Sequence, residues 1–474
     1  MSLPTTGIYN RFDEIIDDLA AEIVASAQAI VRLKSVKSAG RPGMPFGEDI
    51  DECFRYALAL SSELGFRTKD VDGFAGHAEM GSGDRIVGVL GHLDVVPEGD
   101  GWMYPPYAAE IHDGKLYGRG TSDDKGAIIA SMYAIVALQK AGVAFDKRVR
   151  VIFGLDEESG MASVRAYLER EEEPDVAFTP DGAFPAIHGE KGIYTFRLHR
   201  QNSDSGGEHS GLKVLSIKGG VRTNVVPDYC EAVVQGGGTV VDDLIRAAGS
   251  AGEGVVVERS DNDRMVVRAL GVPAHGAAPA AGINAISKLL LFLQSQPIVS
   301  QPLSEVVDFY CQAIGNESDG RSLGCGIDDD LSGPLTLNVG IIDVNSDDID
   351  ILCNIRYPVT ATLSDVSDPI RRAAQTAALE LIDLSHQGPL YIPKDSDLVS
   401  NLMKSYRDVT HDYESSPMVI GGGTYAKSVR NTIAFGPGFP GKSGHGHQVD
   451  EFMSIEDLIL CTRIYARAIY ELLQ

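Results

Sequence analysis

Residues 86–94 have the sequence Ile-Val-Gly-Val-Leu-Gly-His-Leu-Asp, a short apolar run that ends at a histidine and an aspartate. A run of this length and composition is typical of a strand buried on both faces of a sheet. Two further apolar runs, at 148–155 and 175–179, are also followed by acidic residues. Because ligands collect beyond the carboxyl ends of parallel strands, these three strand ends predict one shared site on an α/β sheet.

Helical patterns surround the predicted strands. The segments 18–33, 48–64, 127–140 and 454–473 place apolar residues at the spacing of an amphipathic or buried helix. Asp113-Gly114 is a hairpin signal between two short strand-like segments. This alternation of strands and helices predicts an α/β domain with a central sheet flanked by helices.

The middle of the chain has a different character. It contains glycine-rich joints, several short strand patterns and two predicted helices, at 284–293 and 368–384. We expect this part to form a separate α+β domain.

Charge and composition exclude several classes of function. The chain has 474 residues, and 41 Lys and Arg against 67 Asp and Glu give a net charge of −26. This charge predicts that neither nucleic acids nor anionic membranes are partners, since both bind through Lys and Arg. The six cysteines are dispersed, and no apolar run approaches the roughly 20 residues that span a bilayer. We therefore predict a soluble, cytoplasmic protein.

Each candidate site residue also has an ordinary structural explanation. His92 and Asp94 are two residues apart, which puts both on one face of an extended segment, where Asp94 could orient a metal-bound His92. Asp123 follows a glycine-rich turn and could equally cap the next helix. The three acids at 156–158 suit either a cation or a solvated loop, and Asp181 suits a turn cap.

Considered together, these residues predict a metal site. Mixed imidazole and carboxylate ligands suit zinc, manganese or cobalt, whereas an all-oxygen set would suit calcium or magnesium. A second imidazole is required, and spacing alone does not select it among the other histidines.

Seven motifs add a specific resemblance. They are GHLDVVP (91–97), DGKLYGRGTSDDKG (113–126), DEESG (156–160), TPDGAFPAIHGEKG (179–192), NIRYP (354–358), GGGTYA (421–426) and HGHQVDE (445–451). In this order they resemble the co-catalytic zinc metallopeptidases that include aminoacylases and carnosinases, and most of all the PepV-type dipeptidase branch.

The resemblance implies two Zn²⁺ ions per chain, with Mn²⁺ or Co²⁺ as alternatives. The implied ligands are His92, Asp123, Glu158, Asp181 and His447. Asp123 would bridge the two metals, and His445 is the fallback for the last ligand.

The resemblance also assigns the chemistry. Glu157 is implied as the general base for a metal-bridging hydroxide, and Asp94 as the residue that orients His92. The peptide bond between Asp123 and Asp124 is expected to be cis.

The implied substrate is a short peptide with a free amino terminus, most simply a dipeptide. His275 would contact the reacting carbonyl oxygen. Arg356 would bind the substrate carboxylate, because a guanidinium can donate two parallel hydrogen bonds to a carboxylate. The implied substrate-binding set also contains Asn224, Gly423 and Thr424. Without the resemblance, all five would be explained as turn, cap, strand-surface or flexible-loop residues.

Ligands at 92–181 and again at 447 imply one catalytic domain, at 1–188 and 395–474, interrupted by an α+β lid domain at 189–394. An enlarged lid that supplies its histidine in cis favours a monomer, with a dimer as the alternative. Two other functions remain open. One is an N-acyl amino acid amidohydrolase of the aminoacylase or desuccinylase type, and the other is a catalytically silent binding protein of the same fold.

Overall fold

A computed structural model of the chain describes residues 5–203, 211–250, 254–260, 264–442 and 444–474. The α-helices in these ranges are α1 (Thr5–Val31), α2 (Glu48–Glu63), α3 (Lys125–Lys140), α4 (Ala162–Arg170), α5 (Gly238–Ser250), α6 (Ala285–Gln294), α7 (Gln301–Ala313), α8 (Leu363–Gln375), α9 (Asp397–Thr410) and α10 (Ile455–Leu473). Among the described residues, no helix is both long enough and apolar enough to cross a membrane.

The β-strands in the same ranges are β1 (Arg67–Val71), β2 (Ala75–Met80), β3 (Ile86–His92), β4 (Ile111–His112), β5 (Lys115–Tyr117), β6 (Arg148–Gly154), β7 (Val176–Thr179), β8 (Ile187–Glu190), β9 (Gly192–Gln201), β10 (Lys213–Gly219), β11 (Tyr229–Gln235), β12 (Val255–Arg259), β13 (Arg264–Leu270), β14 (Thr336–Val344), β15 (Asp348–Tyr357), β16 (Glu380–Gln387), β17 (Leu390–Tyr391), β18 (Met418–Ile420), β19 (Thr432–Ala434) and β20 (Phe452–Ser454).

The described residues group into two compact units. The first lies within Met1–Gly189, Tyr391–Met418 and Gly423–Gln474, and the second lies within Glu190–Leu390 and Val419–Gly422. The predicted α/β class, with helices around a central sheet, is confirmed.

The first unit contains a sheet in which β1, β2, β6, β3, β7 and β19 lie side by side in that order. β6, β3, β7 and β19 are parallel, so their carboxyl ends share one edge. Every residue of β3 is buried, as its apolar sequence predicts. α3 is buried along most of its length, where it packs against α1, α10 and the sheet.

The predicted hairpin is confirmed. β4 and β5 pair antiparallel around Asp113 and Gly114, which both have positive φ angles, of 49° and 73°. β20 adds a third strand to this small sheet by pairing with β5. The pairing places the segment that follows His447 beside the segment that precedes Asp123.

The second unit contains an eight-stranded sheet in the order β12-β13-β11-β10-β14-β15-β9-β16. All seven neighbouring pairs are antiparallel. The predicted helix at 284–293 is present as α6, and the Asn284 side chain caps it by accepting from Ile286 N and Ser287 N.

One helix prediction is wrong over half its length. The segment 368–384 was expected to be a single helix, but α8 ends at Gln375 and β16 begins at Glu380. The chain turns at Ala378, which has a φ of 52°, and β16 then pairs with β9. The apolar spacing fits either structure locally, and sheet pairing in the folded chain selects the strand.

Candidate metal centre

His92 is the last residue of β3 and is fully buried. Its Nδ1 lies 2.9 Å from the main-chain oxygen of Asp94, and because a carbonyl oxygen only accepts, Nδ1 is the donor. In a neutral ring this leaves the lone pair on Nε2. That atom lies 3.0 Å from Oδ1 of Asp123 and 3.9 Å from Oδ2 of Asp181.

Five side chains form two groups of possible metal ligands. His92, Asp123 and Asp181 form one group, and Asp123, Glu158 and His447 form the other, with the ligand atoms of each group within 4.8 Å of one another. His447 Nε2 lies 2.7 Å from Glu158 Oε1 and 3.0 Å from Asp123 Oδ2. Asp123 therefore directs one oxygen toward each histidine.

The donor chemistry of both groups fits a transition-metal ion. Each group combines one imidazole with two carboxylates, which is a suitable set for zinc, manganese or cobalt. All five members are residues that the family resemblance implies as ligands. His445, the fallback, belongs to neither group, and its ring packs edge-on against Phe452 with 5.4 Å between the ring centres.

The carboxylates of the site favour positive charge between them. Hydrogen bonds to Asp123 and Glu158 raise the pKa of His447 to about 11. Burial by itself would lower the pKa of His92, but hydrogen bonds to Asp123 and Asp94 raise it well above its usual value. Burial by itself would raise the pKa of Asp123, but hydrogen bonds from the two histidines hold it far below its usual range. A bound cation would be stabilised by the same carboxylates that stabilise the protonated histidines.

The three consecutive acids after β6 have three different environments. The carboxylate of Asp156 accepts from Ala162 N and Ser163 N at 3.1 and 2.8 Å, so it caps the first turn of α4. Glu158 belongs to the second ligand group, whereas Glu157 belongs to neither. Burial and the nearby charge of Asp181 raise the pKa of Glu157 well above its usual value.

Asp94 contacts both the histidine and the acidic turn. Its carboxylate accepts from the main-chain N–H groups of Glu157 and Glu158, at 3.0 and 3.1 Å. The same carboxylate lies 3.6 Å from His92 Nδ1, whereas the main-chain oxygen of Asp94 makes the close contact to that ring. Both the main-chain oxygen and the carboxylate of Asp94 therefore lie beside the same ring nitrogen, and the main-chain oxygen is the nearer of the two.

The turn before α3 is shaped by Asp123 and Asp124. The peptide bond between them is cis, as predicted. Asp124 occupies the N-cap position of α3, but its side chain makes no cap hydrogen bond and instead accepts from His92 N at 3.2 Å. Gly91 permits this approach, since a Cβ there would lie 2.5 Å from Asp124 Oδ2.

In the second unit, Arg356 is a buried cation. It is 6 % exposed, and its guanidinium donates to Asn354 Oδ1 at 2.9 Å and to the Gly421 carbonyl at 3.1 Å. Burial lowers its pKa to about 10. No carboxylate of the described residues forms an ion pair with it, and burial is the one cause of its lowered pKa.

Asn224 and His275 lie on neighbouring segments of the second unit. Gly276 N donates to the Asn224 carbonyl at 2.7 Å, and Val225 forms a β-bridge with His275. Asn338, which the sequence analysis missed, donates from its side chain to the carbonyls of Thr223 and Val225, on both sides of Asn224. The sequence feature that could have indicated Asn338 is its position as an amide side chain within the mainly apolar segment 335–339.

The remaining predicted substrate-binding residues belong to the first unit. Thr424 is buried, and its hydroxyl accepts from Ala426 N at 3.1 Å, which caps a short 3₁₀ turn at Tyr425–Ser428. Gly423 precedes it and is partly buried.

The sequence model of peptidase family M20/M25/M40 matches residues 88–471. The chain belongs to this peptidase family. The M20 peptidase is 38% identical over 462 residues to a Bacillus subtilis (strain 168) protein named "Putative dipeptidase YtjP", covering 95% of this chain and 97% of that relative. It is 33% identical over 468 residues to "Putative dipeptidase SH1171" of Staphylococcus haemolyticus (strain JCSC1435), covering 97% and 98% of the two chains.

Solved structures of the family share the fold of this M20 peptidase. Human carnosine dipeptidase 1 superposes with a TM-score of 0.58 at 16% identity, over 98% of this chain and 99% of that chain. The predicted resemblance to this metallopeptidase family is therefore confirmed, and the protein is an enzyme of the metallopeptidase class.

Proposed function

We propose that this M20 peptidase is a dipeptidase that hydrolyses short peptides with a free amino terminus. The observation that carries the proposal is the position of Asp123, shared between two groups that each contain one histidine and a further carboxylate. The names of the relatives at 33% to 38% identity support the same substrate class.

The proposed cofactor is a pair of Zn²⁺ ions, with Mn²⁺ or Co²⁺ as alternatives. One ion would be held by the group containing His92 and Asp181, and the other by the group containing Glu158 and His447, with Asp123 common to both. When bound, such ions lower the pKa of water toward about 7 and polarise a carbonyl group. The three carboxylates neutralise only part of the charge of two divalent cations, so the site would favour developing negative charge.

Glu157 is the proposed general base. Glu157 precedes Glu158 in the sequence but belongs to neither ligand group. Its main-chain N–H donates to the Asp94 carboxylate. Its carboxylate would accept the proton of the attacking water and then donate it to the leaving amine. A raised pKa, caused mainly by burial, suits a group that must both accept and release a proton near neutral pH.

The first unit also contains a cavity suited to a small substrate. It has a volume of about 580 Å³ and lies beside Asp123 and Asp181, with Phe439, Phe452 and Met453 in its wall. This volume is within the range of small-molecule sites, which is consistent with short substrates. We further propose that the second unit is the lid, and that it supplies Arg356 for the substrate carboxylate together with Asn224 and His275.

Arg356→Lys is expected to raise KM for free dipeptides on the order of 10- to 100-fold, because lysine lacks the planar fork that binds a carboxylate through two donors. Steady-state kinetics on a dipeptide and on its C-terminal amide would test this. The amide lacks the carboxylate, so its hydrolysis should change little. An equal rise in KM for both substrates would contradict the assignment.

The substrate class is tested by comparing free dipeptides with their N-acetylated forms. We expect turnover of the free dipeptides and at most weak turnover of the acetylated ones. Hydrolysis of only the acetylated set would overturn the dipeptidase proposal in favour of an N-acyl amino acid amidohydrolase.

A further inference from the structure

Glu451 is a fully buried acid in the first unit, four residues after His447. One of its carboxylate oxygens, Oε2, accepts from Arg119 Nη1 at 2.7 Å. Arg119 is itself only 2 % exposed, and its guanidinium lies over the ring of Trp102. The charge of Glu451 is therefore balanced inside the protein, where solvent does not screen it.

The other carboxylate oxygen of Glu451 organises the turn that leads to Asp123. Oε1 accepts from the main-chain N–H groups of Gly120, Ser122 and Asp123, at 3.1, 3.0 and 3.2 Å. It also accepts from the Ser122 hydroxyl at 3.2 Å. Its main-chain oxygen accepts from Gly118 N at 2.9 Å, so one residue binds the turn from 118 to 123.

These contacts connect two distant parts of the chain. Glu451 and Asp123 are separated by 328 positions, yet the carboxylate of one bonds the main-chain N–H of the other. The glycine-rich turn lies outside the helices and strands, and its other main-chain hydrogen bonds run from Arg119 N to the Pro106 carbonyl and from Thr121 N to the Gly118 carbonyl. Hydrogen bonds to an ionised carboxylate are stronger than such neutral ones.

We propose that Glu451 is a positioning residue that holds Asp123 in register with His447 and thereby sets the metal affinity of both ligand groups. The proposal rests on the proposed metal centre. Asp123 and His447 come from separate segments, so their ligand atoms meet at the observed 3.0 Å only if these segments are held together. The β5–β20 pairing joins the two segments on the far side of the turn, and the buried carboxylate of Glu451 extends the link to Asp123 itself.

The test compares Glu451→Gln with a matched control, Glu79→Gln. Glu79 is a second buried acid of the first unit, and it accepts from Arg150 Nε and Nη2 at 2.9 and 2.7 Å, away from both ligand groups. Both substitutions remove the charge of a buried arginine–glutamate pair, and both should lower the unfolding temperature. In both variants the new amide nitrogen must face donors, which are Arg119 or the main-chain N–H groups in Glu451→Gln and Arg150 or Arg67 in Glu79→Gln.

Zn²⁺ and Co²⁺ binding to the metal-free full chain should be measured by calorimetry, together with the visible absorption spectrum of the Co²⁺-loaded protein. We expect Glu451→Gln to lose about 10- to 100-fold in affinity, as is common for residues that orient metal ligands, and to change the Co²⁺ spectrum. Glu79→Gln should keep the wild-type affinity and spectrum. Glu451→Asp keeps the charge and should give an intermediate affinity, and it replaces Glu451→Gln if that variant does not fold.

Three outcomes separate the proposals. A loss of affinity in the Glu451 variants alone supports the positioning role. Equal affinity in the wild type and both Glu451 variants overturns it and leaves the metal centre intact. A wild-type protein that binds neither metal overturns both the metal centre and the role of Glu451.

Discussion

Replacing Glu157 with glutamine is expected to lower kcat for dipeptide hydrolysis by about 100- to 10,000-fold, the usual contribution of a general base. Glutamine has nearly the same shape as glutamate but does not accept a proton at neutral pH. Metal binding should be retained, because Glu157 belongs to neither ligand group and its main-chain bond to Asp94 is unaffected. The measurements are steady-state kinetics and metal content of the same preparation.

The neighbouring residue provides the matched control. Glu158→Gln changes the same chemical group one position later, but Glu158 Oε1 lies 2.7 Å from His447 Nε2 in the second ligand group. We expect this variant to lose metal as well as activity. If Glu157→Gln retained wild-type turnover, the assignment of the base would be wrong. If neither the wild type nor any variant hydrolysed peptides, the catalytically silent alternative would be favoured.

Asp123→Asn is expected to weaken both metal sites, by more than about 100-fold, because it alters a ligand and not merely a residue that orients one. The two oxygens of Asp123 face different histidines, His92 through Oδ1 and His447 through Oδ2, each at 3.0 Å. Asparagine retains one oxygen, places an amide nitrogen at the other position and removes the negative charge.

Asp181→Asn is the comparison that isolates the shared role. Asp181 belongs only to the group of His92, so this variant should retain one metal ion of the two. Metal stoichiometry, measured by elemental analysis after dialysis against buffer with limiting Zn²⁺, distinguishes the variants. Equal stoichiometry in Asp123→Asn and Asp181→Asn would show that Asp123 serves one ion only. Circular dichroism should confirm that both variants remain folded.

Much of the site could be predicted because its residues follow recognisable strand ends. β3 is apolar up to His92 and β6 is apolar over its last four residues, Val151–Gly154, and His92 and Glu158 lie at or just after the carboxyl ends of these strands. Parallel pairing of these strands then brings their ends to one edge. The apolar residues show which strands are buried, and the polar residues that follow a buried parallel strand lie at the ligand-binding edge of the sheet.

Other features depended on contacts that local sequence does not encode. The stretch after α8 was predicted as helix, but β16 forms there because β9 offers a pairing edge. The contacts of the Asp94 carboxylate likewise depend on the folded chain, since the main-chain N–H groups that it accepts from lie about 63 positions away.

The sequence by itself determined the fold class, the positions of the buried strands and the set of polar residues at their ends, because these follow from local apolar periodicity and from motifs a few residues long. The tertiary structure decided which of these polar residues meet. It placed His447 rather than His445 beside Glu158, across 289 positions of chain, and gave Asp156, Glu157 and Glu158 three different environments. It also revealed the link from Glu451 to the turn of Asp123. Such contacts form only when segments that are distant in sequence pack together, and a local sequence pattern does not specify which segments these are.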